Sequence, residues 1–160
     1  EPDRLRDVVA DLAAETDVLL LDSPATLGSK SAVLPIVLAD RVIVVLNPTV
    51  PAISDGLKVQ EYALSYGSDI AGTIFNRVRG DIGDVTEKAD RYVEGPTLST
   101  VPESDAVQAA RSDGEPLLAH APDSPAATAF RTAAGALSLN DGDSDAVAER
   151  FRTAVIPDPP

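Results

Sequence analysis

The chain has 160 residues, a mass of 16.6 kDa and a formal net charge of −13, and 44% of its residues are apolar. This composition predicts one folded domain with a sizeable core and argues against a disordered chain. The excess of acidic residues argues against direct nucleic-acid binding, which needs clustered cations. With no cysteine and one histidine, disulfides, thiolate zinc sites and two-histidine metal sites are excluded.

Among the charged residues, aspartate is much more frequent than glutamate, and arginine is more frequent than lysine. Aspartate accounts for 18 of the 26 acidic residues, and lysine for only 3 of the 13 basic residues. This bias is typical of proteins from salt-loving organisms, and an ordinary acidic protein is the alternative. The sequence contains no methionine, even at position 1, so we expect a processed chain or a piece of a longer protein. No apolar run approaches the length of a membrane span, and the first residues do not resemble a signal peptide.

Apolar runs and helical patterns alternate along the chain. In order, we predict a helix at 2–16, a strand at 17–22, a helix at 29–39, a strand at 41–46, a helix at 52–66, a strand at 70–75, a helix at 82–92, a strand at 97–101 and helices at 104–112 and 124–138. Because strand–helix–strand alternation produces crossover connections, the sequence predicts a three-layer α/β sandwich with a mainly parallel sheet.

One carboxylate follows the first predicted strand, where sheets of this kind bind ligands. The run from Leu19 to Asp22 predicts a buried strand that ends in an aspartate. Such a carboxylate can hold Mg²⁺ through water, as in nucleotide hydrolases, or it can cap the next helix. The nearby Gly28-Ser29-Lys30-Ser31 is not a phosphate loop, because Ser29 separates the glycine from the lysine and an upstream glycine is missing. We interpret Lys30 as a surface residue near a helix start.

Asn76 and Arg77 end the third predicted strand. An amide at a sheet edge can donate to and accept from a purine base, although a turn-forming asparagine is the alternative. His120 has no obvious carboxylate partner in the sequence, so we interpret it as a partly exposed polar residue rather than a catalytic one.

The C-terminal stretch reads as an acidic linker at 139–145 followed by a short helix at 146–156. Val147, Phe151, Ala154 and Val155 form one apolar face of that helix, with two arginines nearby. A basic amphipathic helix can lie on a membrane, whereas a disordered or docked tail is the alternative for so short a segment.

Taken together and in order, these segments resemble the MinD/ParA-like P-loop ATPases, and among them the archaeal MinD-like branch. The resemblance rests on DVLLLDSPA at 17–25, ADRVIVVLNPTVPAISDGLK at 39–58, IAGTIFNRV at 70–78 and the stretch from VPESDAV to AAGAL at 101–137. It covers residues 1–138, which we interpret as the C-terminal part of such an ATPase domain, followed by the linker at 139–145 and a tail at 146–160.

The resemblance implies a magnesium and switch segment at the end of the first predicted strand. Asp22 would be the magnesium-side carboxylate, and Ser23, Pro24 and Ala25 would be switch backbone near the γ-phosphate. The family's usual glycine after this segment is Thr26 here, which adds a side chain where backbone would approach phosphate.

The resemblance also implies a base-binding edge. Asn76 and Arg77 would contact adenine, and Pro102 and Glu103 would line the other side of the base. The implied cofactors are ATP and Mg²⁺. The family's phosphate loop, its signature lysine and its N-terminal strand are absent, so we expect this chain alone to be inactive as an ATPase.

Two functions follow from this resemblance. The first is the C-terminal portion of an ATPase that binds ATP–Mg, dimerises and positions cellular machinery in cell division, chromosome placement or surface-structure placement. The alternative is a naturally short, non-catalytic relative that acts as an interaction module with an active homologue. The implied partner is a second copy or a related ATPase subunit, and the implied location is the cytoplasm, with weak peripheral membrane contact through the tail.

Overall fold

The computed structural model describes residues 2–24, 28–139 and 143–155. In chain order its elements are α1 (Pro2–Glu15), α2 (Lys30–Leu38), β1 (Arg41–Leu46), α3 (Val50–Ser65), β2 (Asp69–Val78), α4 (Gly83–Tyr92), β3 (Thr97–Pro102), α5 (Asp105–Asp113), α6 (Leu117–His120), α7 (Pro125–Ala136) and α8 (Ser144–Thr153). The predicted helices and the last three predicted strands are confirmed, and the short helix α6 is an addition that the sequence patterns did not predict.

Local sequence signals set the ends of several helices. Ser104 caps α5 by accepting a hydrogen bond from the backbone N–H of Ala106, and Gly114 ends that helix in the left-handed conformation. Ser124 caps α7 in the same way, and Pro125 takes the first helical position. Because these signals are local, both helices could be predicted without knowledge of the tertiary structure.

The three strands form one sheet in the order β1–β2–β3, in which β2 and β3 are parallel. Phe75 pairs with Thr100 and Val78 pairs with Pro102, so β2 has one residue more than β3 between these two pairs. The extra residue makes a β-bulge near the carboxyl end of β2.

The contacts divide the chain into two compact units. Unit 1 comprises the described residues within 1–42, 62–69 and 139–160, and unit 2 comprises 43–61 and 70–138. Unit 2 has helices on both faces of its sheet. On one face, Ile74, Leu98 and Val101 pack against the buried alanines of α7.

On the other face of the sheet, α3 approaches β1 through a glycine. A side chain at Gly56 would meet the side chains of Leu46 and Val44 at 2.8 Å and 3.3 Å. A larger residue at Gly56 would therefore have to displace the end of the Leu46 side chain or move α3 away from β1. This layer completes the helix–sheet–helix arrangement of a P-loop NTPase-like α/β fold.

Unit 1 is organised by helix packing. One cluster of its buried core contains six apolar side chains from α1, α2 and α8: Val9, Ala10, Ala13, Leu34, Leu38 and Phe151. The hydroxyl of Ser68 lies 2.8 Å from the carbonyl oxygens of both Ile36 and Ala39, which satisfies backbone groups at the end of α2.

Residues 17–22 form an extended segment of unit 1 that pairs with no strand among the described residues. Leu19 and Leu21 pack against the helical core, whereas Leu20 is 81% exposed. The prediction of a strand buried on both faces is therefore wrong here. An apolar run supplies suitable side chains, but a strand also needs a neighbour for its backbone N–H and C=O groups.

Helix α8 begins two residues earlier than the predicted tail helix, at the end of the predicted linker. Asp143 is the reason, because its carboxylate accepts hydrogen bonds from the backbone N–H groups of Asp145 and Ala146 and so caps the helix. The rest of the predicted linker at 140–142, and the predicted helical residue at 156, lie outside the described residues.

Candidate functional site

The ends of β2 and β3 bring four predicted site residues to one edge of unit 2. Asn76 and Arg77 lie just before the last residue of β2, and Pro102 ends β3 immediately before Glu103. The apolar pattern predicts a strand that ends at 75, but β2 continues to Val78, which pairs with Pro102. The parallel register therefore places these residues together at the carboxyl ends of the strands, where open α/β sheets bind their ligands.

The β-bulge falls on Asn76 and Arg77. Arg77 adopts a φ of 55°, a left-handed conformation that is uncommon for residues other than glycine. The side-chain Oδ1 of Asn76 accepts a hydrogen bond of 2.9 Å from the backbone N–H of Arg77. Bulges of this kind change the direction of side chains at sheet edges and are frequent beside functional sites.

Arg79 joins the segment after β2 to the end of β3. Its guanidinium makes a bidentate ion pair with Glu103, through Nε to Oε2 and through Nη2 to Oε1 at 2.7 Å. The backbone N–H of Glu103 also donates to the carbonyl oxygen of Val78 at 3.0 Å. One ion pair and one backbone hydrogen bond therefore hold the two strand ends together.

This ion pair changes the acidity of both partners. Hydrogen bonds from Arg79 hold the pKa of Glu103 below its usual value, and the positive charges of Arg79 and Arg77 act in the same direction. The same hydrogen bonding raises the pKa of Arg79. Glu103 is therefore a carboxylate at neutral pH, with both of its oxygens in contact with the Arg79 guanidinium.

The predicted magnesium and switch residues lie in unit 1. Asp22 is the last residue of the extended segment at 17–22, Ser23 and Pro24 follow it, and Ala25 lies outside the described residues. The hydroxyl of Ser23 donates to the carbonyl oxygen of Ala32 at 2.9 Å, which ties this segment to α2. Asp22 is exposed and makes no hydrogen bond or ion pair within the described ranges, so its carboxylate is accessible to a hydrated cation.

The first turn of α2 explains the rejected phosphate-loop match. Ser29 caps the helix by accepting a hydrogen bond of 3.2 Å from the backbone N–H of Ala32. Lys30 is the exposed first residue of α2, as predicted. The lysine thus begins a serine-capped helix and does not belong to a glycine-rich phosphate cradle.

The donor set around Asp22 limits what a metal site could be. Across residues 2–24, 28–139 and 143–155, no three His, Asp or Glu side chains are grouped so that they could hold a metal ion. Mg²⁺ keeps several waters and usually takes one or two carboxylates plus phosphate oxygens in nucleotide sites. Asp22 fits that role as one carboxylate beside a nucleotide, and not as part of a protein-only metal cage.

The tail helix α8 has its apolar face inside unit 1. Ala148 and Phe151 are buried, and Arg150 forms an ion pair of 2.7 Å with Asp40. Arg152 pairs with Asp11 of α1 at 3.2 Å. The described helix is therefore docked, and membrane contact through its apolar face would require it to leave this core.

Across the described ranges, no helix combines the length and the apolar character needed to cross a bilayer.

Two further features fall outside the predicted site. A half-open cavity of about 260 Å³ in unit 1 is lined by eight residues of α2, α8 and their surroundings, none of which is a predicted site residue.

The expectation that His120 lacks a carboxylate partner is wrong, because its Nδ1 lies 3.2 Å from Glu115 and 3.6 Å from Asp113. Asp113 and Glu115 precede His120 by seven and five residues. The short helix α6 turns the chain, which brings His120 back beside both carboxylates.

Known proteins resemble this chain in sequence and in fold. An uncharacterized ATP-binding protein of Methanocaldococcus jannaschii is 37% identical over 138 residues, which cover 86% of this chain and 52% of the relative. The Pyrococcus furiosus cell division ATPase MinD superimposes with a TM-score of 0.73 at 29% identity, over 85% of this chain and 57% of that structure. The septum site-determining protein MinD of Pyrococcus horikoshii, solved with Mg-ADP, gives a TM-score of 0.72 at 30% identity, over 84% and 55%.

These similarities extend over most of this chain but not over most of its relatives. The chain spans about half the length of the curated relatives and solved structures that it matches. No family model matches the sequence. The sequence identity to these relatives and the structural similarity to these solved ATPases show that the chain belongs to the MinD/ParA-like P-loop ATPases.

Proposed function

We propose that this chain is part of an ATPase that binds ATP with Mg²⁺, dimerises, and positions cellular machinery such as the division apparatus, chromosomes or surface structures. The observation that carries the proposal is the edge of unit 2, where Asn76, Arg77, Pro102 and Glu103 meet at the carboxyl ends of parallel strands. That edge brings together the amide of Asn76, the guanidinium of Arg77 and the carboxylate of Glu103, which is paired with Arg79, and such polar groups suit the binding of a flat polar base.

In this proposal, the extended segment of unit 1 supplies the phosphate side. Asp22 would hold Mg²⁺ through water, and the backbone of Ser23 and Pro24 would lie near the γ-phosphate, as the resemblance also implies for Ala25, which lies outside the described residues. Support comes from the accessible carboxylate of Asp22 and from the anchoring of Ser23 to α2. The 160 residues contain no phosphate loop, so tight phosphate binding depends on a segment beyond them, as does hydrolysis.

Exposed apolar residues on α1 support association with another polypeptide segment. Leu5, Val8 and Leu12 are 41%, 48% and 44% exposed and lie at helical spacing, which forms a stripe beside the buried face of the helix. Contiguous apolar surface of this kind usually marks an interface. The stripe is compatible with both functions, because either a phosphate-loop segment or an active homologue could cover it.

The decisive experiment measures the intact mass and the ATPase activity of the protein purified from the cells that produce it. We expect a mass well above 16.6 kDa and Mg²⁺-dependent hydrolysis of ATP. Asp22→Asn should abolish the Mg²⁺-dependent hydrolysis of ATP. Asp17→Asn, which changes an exposed aspartate at the other end of the same segment, should leave that hydrolysis unchanged. A larger protein that binds no ATP would contradict the proposal.

A native mass near 16.6 kDa without ATP binding would favour the interaction module instead. That function predicts a stable complex with an active ATPase homologue, in which the exposed stripe of α1, including Val8 and Leu12, becomes protected from solvent. Hydrogen exchange of α1 in the free and bound chain would detect this protection. A monodisperse monomer that binds no such homologue would count against the module.

A further inference from the structure

Arg79 lies outside every motif that sequence reasoning singled out, yet it connects the two halves of the base-binding edge. Its guanidinium contacts both carboxylate oxygens of Glu103, which follows the neighbouring strand. Planar guanidinium and carboxylate groups match each other in this two-bond arrangement, which lysine cannot reproduce. The contact therefore fixes the orientation of Glu103 as well as its charge environment.

A free glutamate at this edge would affect which base is accepted. The Watson–Crick side of guanine carries N–H donors at N1 and N2, and a carboxylate that accepts from both is a good partner for guanine. Adenine has an acceptor at N1 and only its exocyclic N6 amino group as a donor there. An unpaired Glu103 would therefore favour guanine, whereas in a paired Glu103 one acceptor site on each oxygen is already taken by the Arg79 guanidinium, which competes with the two N–H groups of guanine.

The β-bulge fixes the other polar group at the same edge. Arg77 is in the left-handed conformation, and strained backbone of this kind persists only where its surroundings hold it. The hydrogen bond from the N–H of Arg77 to Oδ1 of Asn76 orients the amide, so its NH₂ group is the part that remains to donate to a base. An amide donor suits the ring-nitrogen acceptors of adenine.

We propose that Arg79 is a specificity-determining residue of this edge: by engaging both oxygens of Glu103 and joining the two strand ends, it favours adenine over guanine nucleotides. This inference rests on the proposed function, since it assumes that the edge binds a nucleotide base. Arg79 itself need not touch the base, because it acts through Glu103.

The test compares ADP and GDP binding to the ¹⁵N-labelled protein as it is purified from the cells that produce it, so that any segment that supplies the phosphate loop is present. Backbone and side-chain amide signals at the two strand ends report the binding. Arg79→Gln removes the ion pair and frees the carboxylate. We expect it to weaken ADP binding and strengthen GDP binding, which together lower the ADP preference about tenfold. Arg79→Lys should restore part of the preference, because it retains the charge without the two-bond geometry.

Glu103→Gln separates specificity from a structural effect. This variant also loses the ion pair, but it leaves no carboxylate to bind guanine, so ADP binding should weaken without a gain in GDP binding. The double variant should behave like Glu103→Gln alone. The matched control is Arg91→Gln, which removes an equally exposed arginine of unit 2 from its pair with Glu87 and should change neither nucleotide.

The outcomes distinguish this inference from the function on which it rests. If ADP leaves the wild-type signals at Asn76 and Glu103 unmoved, the adenine site itself is contradicted. If ADP binds there and Arg79→Gln retains the wild-type preference over GDP, only the role of Arg79 is overturned. Equal weakening of both nucleotides in Arg79→Gln would likewise overturn it, because that result indicates loss of structure without a change in selectivity.

Discussion

The two units are stabilised in different ways. Unit 2 combines a parallel backbone ladder with helices on both sheet faces, and its strand ends are joined by the Arg79–Glu103 pair. Unit 1 depends on side-chain packing among α1, α2 and α8, and its extended segment at 17–22 has no hydrogen-bonded strand among the described residues. Similar apolar runs thus form a strand in one unit and an unpaired segment in the other. A strand therefore has two separate requirements, a suitable side-chain pattern and a neighbouring strand for its backbone groups.

The largest expected effect comes from the helical core of unit 1. Phe151→Ala should lower the free energy of unfolding by about 3–5 kcal/mol, because it leaves a cavity where α8 meets α1 and α2. Denaturant titration followed by circular dichroism measures the change. Val155→Ala is the control, since Val155 is 83% exposed and should cost less than about 0.5 kcal/mol. Equal effects of the two would mean that α8 contributes little to this core.

In unit 2, the corresponding substitution is made at Gly72, beside the backbone hydrogen bonds between β2 and the start of β3. Gly72 has a φ of 145°, and a Cβ there would overlap the carbonyl oxygen of Pro96, which accepts a ladder hydrogen bond from Thr73. Gly72→Ala should therefore cost about 1–3 kcal/mol. Gly135→Ala in α7 meets open space and should instead stabilise the chain by about 0.5–1 kcal/mol. Thermal unfolding of both variants should show shifts of opposite sign.

Substitutions in the extended segment should change stability less, and by different amounts on its buried and exposed sides. Leu21→Ser should cost about 1–2 kcal/mol because Leu21 packs on the core of unit 1. Leu20→Ser should change stability by less than about 0.5 kcal/mol, because that side chain is 81% exposed. If the two variants were equally destabilised in the purified protein, another segment would have to cover Leu20, and the contrast between the units would disappear.

The smallest effect concerns the ion pair at the strand ends. Because the folded-state pKa of Glu103 is lowered, the pair stabilises the folded chain above the usual glutamate pKa. That contribution is lost as the pH falls through the lowered value, and salt should weaken it because both groups are exposed. A ¹³C titration of the carboxyl group should show a higher pKa in Arg79→Gln. An unchanged pKa would contradict the pairing, and Arg91→Gln serves as the control.

Features encoded locally could be predicted from the sequence. The caps at Ser104 and Ser124 and the apolar runs of β1, β2 and β3 each depend on residues close together in the chain. The predictions of these caps and strands succeeded because neighbouring residues carry most of the information that they need. The roles that the family resemblance implies for Asn76 and Glu103 stay predictions, although the parallel register brings both residues to one edge.

Features that depend on register could not be predicted in the same way. The left-handed Arg77 results from the bulge between two strands, and no local pattern indicated it. Arg79 and Glu103 are 24 residues apart, and only the pairing of Val78 with Pro102 brings them together. One signal was available: opposite charges stand just beyond the ends of two strands predicted to be parallel.

The packing of α8 on α1 also constrains how the protein is made. Asp11 and Arg152 form their ion pair across 141 residues of sequence, so the core of unit 1 closes only after α8 leaves the ribosome. Most of unit 2, at 70–138, is continuous and emerges earlier, which allows it to fold while synthesis continues. Among the described helices, α1 is therefore translated first, yet its packing is completed only when α8 arrives, and part of its apolar surface lacks its partner in the interval.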